Sequence, residues 1–307
     1  MNRRASFPFP LLLLIALALC TGCLDFTRET VTYRYDAKAD TLRIFLVYHG
    51  IFGADGGADL SEREQSQLAE VLTGDRAFFF TNWILEYNRA TIKKELERLN
   101  DPDEIAGKPA AIIAKQKKLY DLLLAHVRLD NGPFFYDADR RLCGAQRLTV
   151  QKISVLLRAA NELIREELLR RGAASPDLEE GERQAALKAL AKEGDFLRLT
   201  GNRFSLRWPI TGDDFEKSFG QDADKPTKTL LAEFNRQGGH LAWEKGELFA
   251  HIGGTNSTPV TLALPVSQKP YTPNAVAAIA LRAQLTVLGK FDAPAAAKVF
   301  IETGKGP

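Results

Sequence analysis

Alternating apolar and polar positions recur in four places along the chain, each followed by sequence with helical spacing. In residues 31–48 (VTYRYDAKADTLRIFLVY), Val31, Tyr33 and Tyr35 alternate before a polar turn, and Leu42, Ile44 and Leu46 alternate after it. Phe45 and Val47 are apolar as well, which predicts a second strand covered on both faces. Residues 134–143 (FFYDADRRLC) carry a second hairpin pattern. Residues 196–208 (FLRLTGNRFSLRW) carry a third, in which Gly201-Asn202 suits a two-residue type II′ turn with glycine first. That turn pairs Thr200 with Arg203, Leu199 with Phe204 and Leu197 with Leu206. The four apolar residues then share one face, and Arg198, Thr200, Arg203 and Ser205 take the other. The fourth, residues 240–251 (HLAWEKGELFAH), turns at Lys245-Gly246, and a short strand from Val260 to Leu264 follows.

The helices are punctuated by recognisable ends. Ser61 with Glu64 forms a capping box that opens a helix to about Leu72. Residues 84–99 put Leu85, Asn88, Ile92, Leu96 and Leu99 on one stripe, and residues 109–128 predict another helix. Residues 150–171 carry the clearest period, through Ile153, Leu156, Leu157, Ala160, Leu163, Ile164 and Leu168, stopped by Gly172. Ser175-Pro176 and Thr272-Pro273 open two more, the second running to about Leu288, and a short one covers 294–302. Strands and helices do not alternate singly, so the pattern predicts an α+β fold: antiparallel hairpins with helices packed against the sheet. The globular region is expected over 31–303, either as one core or as halves of about 31–172 and 182–303, divided at Gly172–Gly181.

The first 22 residues stand apart. MNRRASF is basic, FPLLLLIALAL is apolar, and small residues lead to Cys23, the three-part layout of a secretory signal. Leu19-Cys20-Thr21-Gly22-Cys23 resembles the lipobox of bacterial lipoproteins, with Gly22 and Cys23 matching and Cys20 standing where leucine is usual. The resemblance implies cleavage after Gly22 and diacylglycerol on Cys23, with residues 23–30 as a short tether before strand-like sequence near Val31. Leu24 follows Cys23, which by the same resemblance implies the outer membrane, facing the periplasm, in a host with two membranes. Cleavage by the ordinary signal peptidase, with Cys23 an unmodified thiol, is the other reading of the segment.

Charge and cysteine count narrow the partners. Removing Arg3 and Arg4 with the signal leaves 39 basic against 39 acidic residues, a balance that disfavours nucleic acid. With Cys20 cleaved off and Cys23 acylated, Cys143 has no intramolecular partner. Its apolar neighbours suit a buried thiol, against the alternative of a reactive one.

Catalytic signatures are scarce. Beyond the leader, whose Cys20-Thr21-Gly22-Cys23 is the lipobox stretch already described, the chain has no G-x-S-x-G, S-x-x-K, H-E-x-x-H, C-x-x-C or Walker motif, and nothing in it demands a cofactor. Two constellations remain. Tyr48–Asp59 reads as a glycine-rich loop leaving a strand, in which His49, Asp55 and Asp59 offer ligand atoms and Phe52 an apolar contact for a ligand or partner. The other reading is a turn-rich loop whose Phe52 folds back on the core. In the fourth hairpin the register places His240 opposite His251, a pair that either shares a metal or lies on a half-exposed sheet face. The expectation is a membrane-anchored envelope lipoprotein, held in the bilayer through acylated Cys23, that works through a protein or ligand contact and has no catalytic residues. The alternative is a membrane-anchored hydrolase with a dispersed His/Asp site.

Overall fold

The computed structural model describes residues 24–53, 61–79, 85–174, 194–208, 228, 232, 234–236, 238–244, 246–267 and 286–306. It is α+β, as the patterning predicts. Two compact units form, and neither is a continuous half of the chain. Of the described residues, one takes in those of Leu96–Leu123 and Lys152–Thr258; the other takes in those of Leu24–Glu95, Leu124–Gln151 and Pro259 onward. None of the four chain junctions between the units falls at Gly172–Gly181, the expected division.

The second unit is built on a six-stranded sheet ordered β11-β1-β2-β6-β5-β12. Its strands are β1 (Leu24–Asp36), β2 (Thr41–Gly53), β5 (Val127–Tyr136), β6 (Leu142–Gln151), β11 (Val260–Pro265) and β12 (Val287–Leu288). All pairings are antiparallel except β12 on β5. One face is covered by α6 (Ala293–Thr303), whose Ala293, Ala296, Ala297, Phe300 and Ile301 pack on Phe45, Val47, Phe135, Cys143 and Ala145. Asp292 caps this helix and Gly304 ends it in the left-handed region. On the other face Phe26, Tyr48 and Phe78 form an aromatic cluster with ring centroids 4.9–6.3 Å apart. Phe78 belongs to the hairpin of β3 (Arg76–Phe79) and β4 (Leu85–Asn88). Helix α1 (Glu62–Leu72) opens with the expected Ser61–Glu64 capping box.

Several boundaries move. β1 begins at Leu24, so residues 24–30 are strand and not tether. β2 continues to Gly53, so Tyr48–Gly53 of the expected loop are strand. Residues 85–88 pair as β4 before α2 (Arg89–Arg98) begins. The helix expected over 109–128 is α4 (Ala110–His126), and it yields to β5 at Val127.

The first unit holds a four-stranded sheet ordered β7-β8-β10-β9. It comprises β7 (Leu197–Thr200), β8 (Arg203–Trp208), β9 (His240–Glu244) and β10 (Glu247–Ile252). The register of β7 on β8 is the one the alternation predicts. Gly201 takes φ +57°, and a Cβ there would collide with the Thr255 carbonyl, so only glycine fits. Asn202 beside it is fully buried and donates from Nδ2 to Thr258 O at 2.7 Å. Helix α3 (Pro102–Ile105) precedes α4 in this region of the chain. Helix α5 (Ile153–Ala174) closes the β7 edge: Asn161 accepts from Leu197 N at 2.8 Å and donates to Leu197 O at 2.9 Å. Lys118 of α4 pairs with Glu162 of α5 at 3.0 Å. The helices predicted from Ser175 and Thr272 fall largely outside the described residues, although 287–288 is strand. No helix among the described residues is long and apolar enough to cross a membrane.

Candidate functional site

The polar faces of the third and fourth hairpins join into one surface. β10 pairs with β8 on one side and β9 on the other, so His251 lies between Ser205 and His240. Counting by twos, Arg198 on β7, Arg203, Ser205 and Arg207 on β8, Glu247, Phe249 and His251 on β10, and His240, Ala242 and Glu244 on β9 share this face. His251 Nδ1 is 2.7 Å from Ser205 Oγ, and its ring lies flat against Phe249 at 5.8 Å. The rings of His240 and His251 have centroids 5.0 Å apart, as the register predicts.

Glu244 reaches this histidine too. Its Oε1 is 3.0 Å from His251 Nε2, although four residues along a strand span about 13 Å. Ala242 stands between Glu244 and His240 on the same face, and its small side chain leaves the carboxylate room to extend along the strand. The oxygen lies off the direction of the ring N–H, and Nε2 makes no hydrogen bond among the described residues. The contact is therefore electrostatic rather than a hydrogen-bonded relay. Burial lowers the His251 pKa, with Arg203 and His240 pushing the same way and Glu244 opposing.

This polar face is the more enclosed one. His251 is 1% exposed, Arg207 2% and Ser205 5%, whereas Leu206 and Trp243 on the apolar face are 38% and 46% exposed. Trp243, although on the apolar side of its hairpin, is therefore not packed in a core. Stacking makes the inversion tolerable: the Arg198 guanidinium lies 4.3 Å from the centre of the Phe249 ring, and that of Arg207 lies 4.2 Å from Phe196. Arg207 also pairs with Glu247 at 3.3 Å. Flat guanidinium groups on rings bury charge with less loss of hydration than an ammonium would suffer.

The chemistry this permits is limited. Among the described residues no group of three His, Cys, Asp or Glu stands close enough to hold a metal ion, so His240 and His251 find no third ligand there. Ser205, His251 and Glu244 are the side-chain types of an acyl-transfer triad, but the serine is buried and the histidine–glutamate contact is misaligned. The cluster is a polar brace joining three strands. Sequence reading pairs the two histidines, gives Ser205 no part, and sets Glu244 aside as about 13 Å away along the strand, a distance its side chain closes to 3.0 Å from His251. The signal was the polar alternation of the third hairpin, which gains meaning only once β8 is known to pair with β10.

The other constellation is divided. Phe52 is 1% exposed and belongs to the core, which settles its two readings in favour of folding back. Asp55 and Asp59 lie outside the described residues, as does Cys23. His49, on β2, faces Arg28 and Thr30: Arg28 Nη2 donates to Nδ1 at 3.4 Å, so Nε2 carries the proton and donates to Thr30 Oγ1 at 2.9 Å. Burial and then Arg28 lower its pKa to about 4, with Asp137 opposing. Both ring nitrogens are occupied, which leaves His49 poorly placed as a ligand or base. Cys143 is fully buried in the α6 core, and burial raises its thiol to about 11.

No family model, no curated protein and no solved structure matches this chain.

Proposed function

We propose that this is a lipid-anchored envelope protein that binds a partner or ligand at the membrane surface. One juxtaposition carries the reading: the lipobox cysteine, Cys23, is followed at once by the buried start of β1. Leu24, Asp25 and Phe26 are all buried, and the Leu24 N–H donates to Gln67 Oε1 at 2.7 Å. An acylated Cys23 then joins its lipid to the folded unit through a single residue, about 4 Å of chain. Two or more acyl chains hold a protein stably in a leaflet. With so short a link the protein works at the bilayer and does not reach across the envelope. By the lipoprotein resemblance, Leu24 after Cys23 supports the outer membrane, facing the periplasm, where the host has one.

Binding is favoured over hydrolysis by the state of the two candidate histidines. His49 uses both nitrogens within its own sheet, and His251 is enclosed with Ser205. The test is the intact mass of the exported protein together with detergent phase partition. The expected product lacks residues 1–22, carries diacylglycerol and an N-acyl chain on Cys23, and enters the detergent phase; Cys23→Ser stays aqueous. A bare Cys23 sulfur overturns the proposal.

A further inference from the structure

The six-stranded unit contains a cleft of about 230 Å³ lined by Phe45, Asn131, Gly132, Pro133, Arg147 and Phe291. It exists because β5 carries an extra residue. Gln146 pairs with Asn131, yet Gly144 pairs with Phe134, so two steps on β6 oppose three on β5. Such a bulge interrupts the ladder, and it is a place where Pro133, with no N–H to offer, is tolerated. The parallel strand β12 then docks on Phe134–Phe135 and delivers Phe291, whose ring packs 5.0 Å from Phe135. Bulge and parallel strand together give the cleft its wall.

Arg147 supplies the charge. In register it lies between Phe45 and Asp130, but the Asp130 carboxylate is engaged by Arg128 at 3.0 Å. Arg147 Nη2 donates to Asn131 O at 3.2 Å, while its buried Nε makes no hydrogen bond among the described residues. No carboxylate among those residues forms an ion pair with it. Gly306 passes so close to Nη1 that a Cβ there would collide, which restricts that side of the guanidinium to backbone. Arg43, on the same face, is turned away to cap Ile301 O of α6 at 3.2 Å. A partly withdrawn guanidinium with no ion-pair partner among the described residues is costly, and its planar fork matches a carboxylate.

We propose that this cleft binds a small organic carboxylate with an aromatic or short acyl body. The carboxylate sits on Arg147, and the body lies between Phe45 and Phe291. The volume is below the roughly 300–1,000 Å³ of sites for drug-sized ligands, so the ligand is small. The inference rests on the binding reading above and names its ligand class. Its test is independent of the mass of Cys23, so either can fail alone.

The experiment is fluorine NMR of 4-fluorobenzoate with the full-length mature protein in detergent. The neutral 4-fluorobenzamide serves as the control for partition into micelles, and inorganic phosphate as the control for bare anion binding. Saturable benzoate binding is expected, with no saturable benzamide binding. Arg147→Gln is expected to weaken benzoate roughly tenfold or more, the size of a lost charge-assisted hydrogen bond. Should that variant misfold by circular dichroism, Phe291→Ala, which removes a wall and leaves the charge, is expected to weaken benzoate as well. Absent benzoate binding, binding unchanged in the folded variant, or displacement of benzoate by phosphate at equal concentration would overturn the proposal.

Discussion

The Leu24 amide donates to Oε1 of Gln67, a buried side chain on α1, at 2.7 Å. This bond fixes Leu24 of β1 to a helix residue 43 positions away. Gln67→Ala leaves a buried N–H without its acceptor, at a cost of about 1–3 kcal/mol. Urea unfolding is expected to show that loss, and hydrogen exchange at Leu24–Phe26 is expected to quicken more than elsewhere in β1. Unchanged exchange there would show that the strand start is held by its apolar burial alone.

His49 makes stability depend on pH. Its folded pKa is about 4 against an ordinary 6.5, so between those values the unfolded chain binds a proton that the folded chain does not. Stability from this group is therefore complete above about pH 6.5 and falls as pH is lowered toward 4. Denaturation midpoints at pH 7 and pH 4.5 are expected to drop more in the wild type than in His49→Gln, which keeps a polar group and cannot titrate. Equal drops in the two proteins would assign the acid sensitivity to other groups.

Ser205 tests the boundary between binding and hydrolysis. It is 2.7 Å from His251 Nδ1 but enclosed, and the Glu244 contact to that histidine is misaligned. A fluorophosphonate probe is expected to leave Ser205 unlabelled in the folded protein. Ser205→Ala is expected to destabilise the small sheet by about 1–3 kcal/mol through the stranded histidine nitrogen. Labelling at Ser205 that disappears in His251→Gln would move the protein to acyl transfer.

What the sequence revealed depended on how local the determining interaction is. The β7–β8 register follows from Gly201-Asn202 and four apolar positions within ten residues. The Ser61–Glu64 box spans four residues, and it appears as predicted. The identity of the enclosed face of the small sheet was invisible, because it turns on Arg198 and Arg207 stacking over rings that only the assembled sheet supplies. A binary pattern counts arginine as a surface residue, whereas a guanidinium on an aromatic face is buried at modest cost. The Arg147 cleft escaped for a related reason. Its bulge at Gly132-Pro133 lies in a stretch whose strand was masked by the helical period running up to residue 128.

Tyr48 and Gln146 tie the large sheet to the β3–β4 hairpin, and their coupling is measurable. Tyr48 Oη donates to Gln146 Oε1 at 2.8 Å and accepts from Phe78 N at 3.0 Å, while Gln146 Nε2 donates to Arg76 O and Asn131 Oδ1, each at 3.0 Å. Burial raises the phenol pKa well above its ordinary value, with Glu29 adding to the effect, so the hydroxyl keeps its proton. Tyr48→Phe keeps the ring against Phe26 and Phe78 but removes every bond of the hydroxyl, including a longer one to Phe78 O at 3.3 Å, leaving a buried amide and a buried amide oxygen unsatisfied. The expected cost is about 1–3 kcal/mol, and Gln146→Leu is expected to cost at least as much because it strands two acceptors. In the double variant the lost Tyr48–Gln146 bond is counted once, so its cost is expected to fall short of the sum by about 0.5–3 kcal/mol. Strict additivity in a urea double-mutant cycle would mean that the two side chains, although 2.8 Å apart, stabilise the hairpin independently.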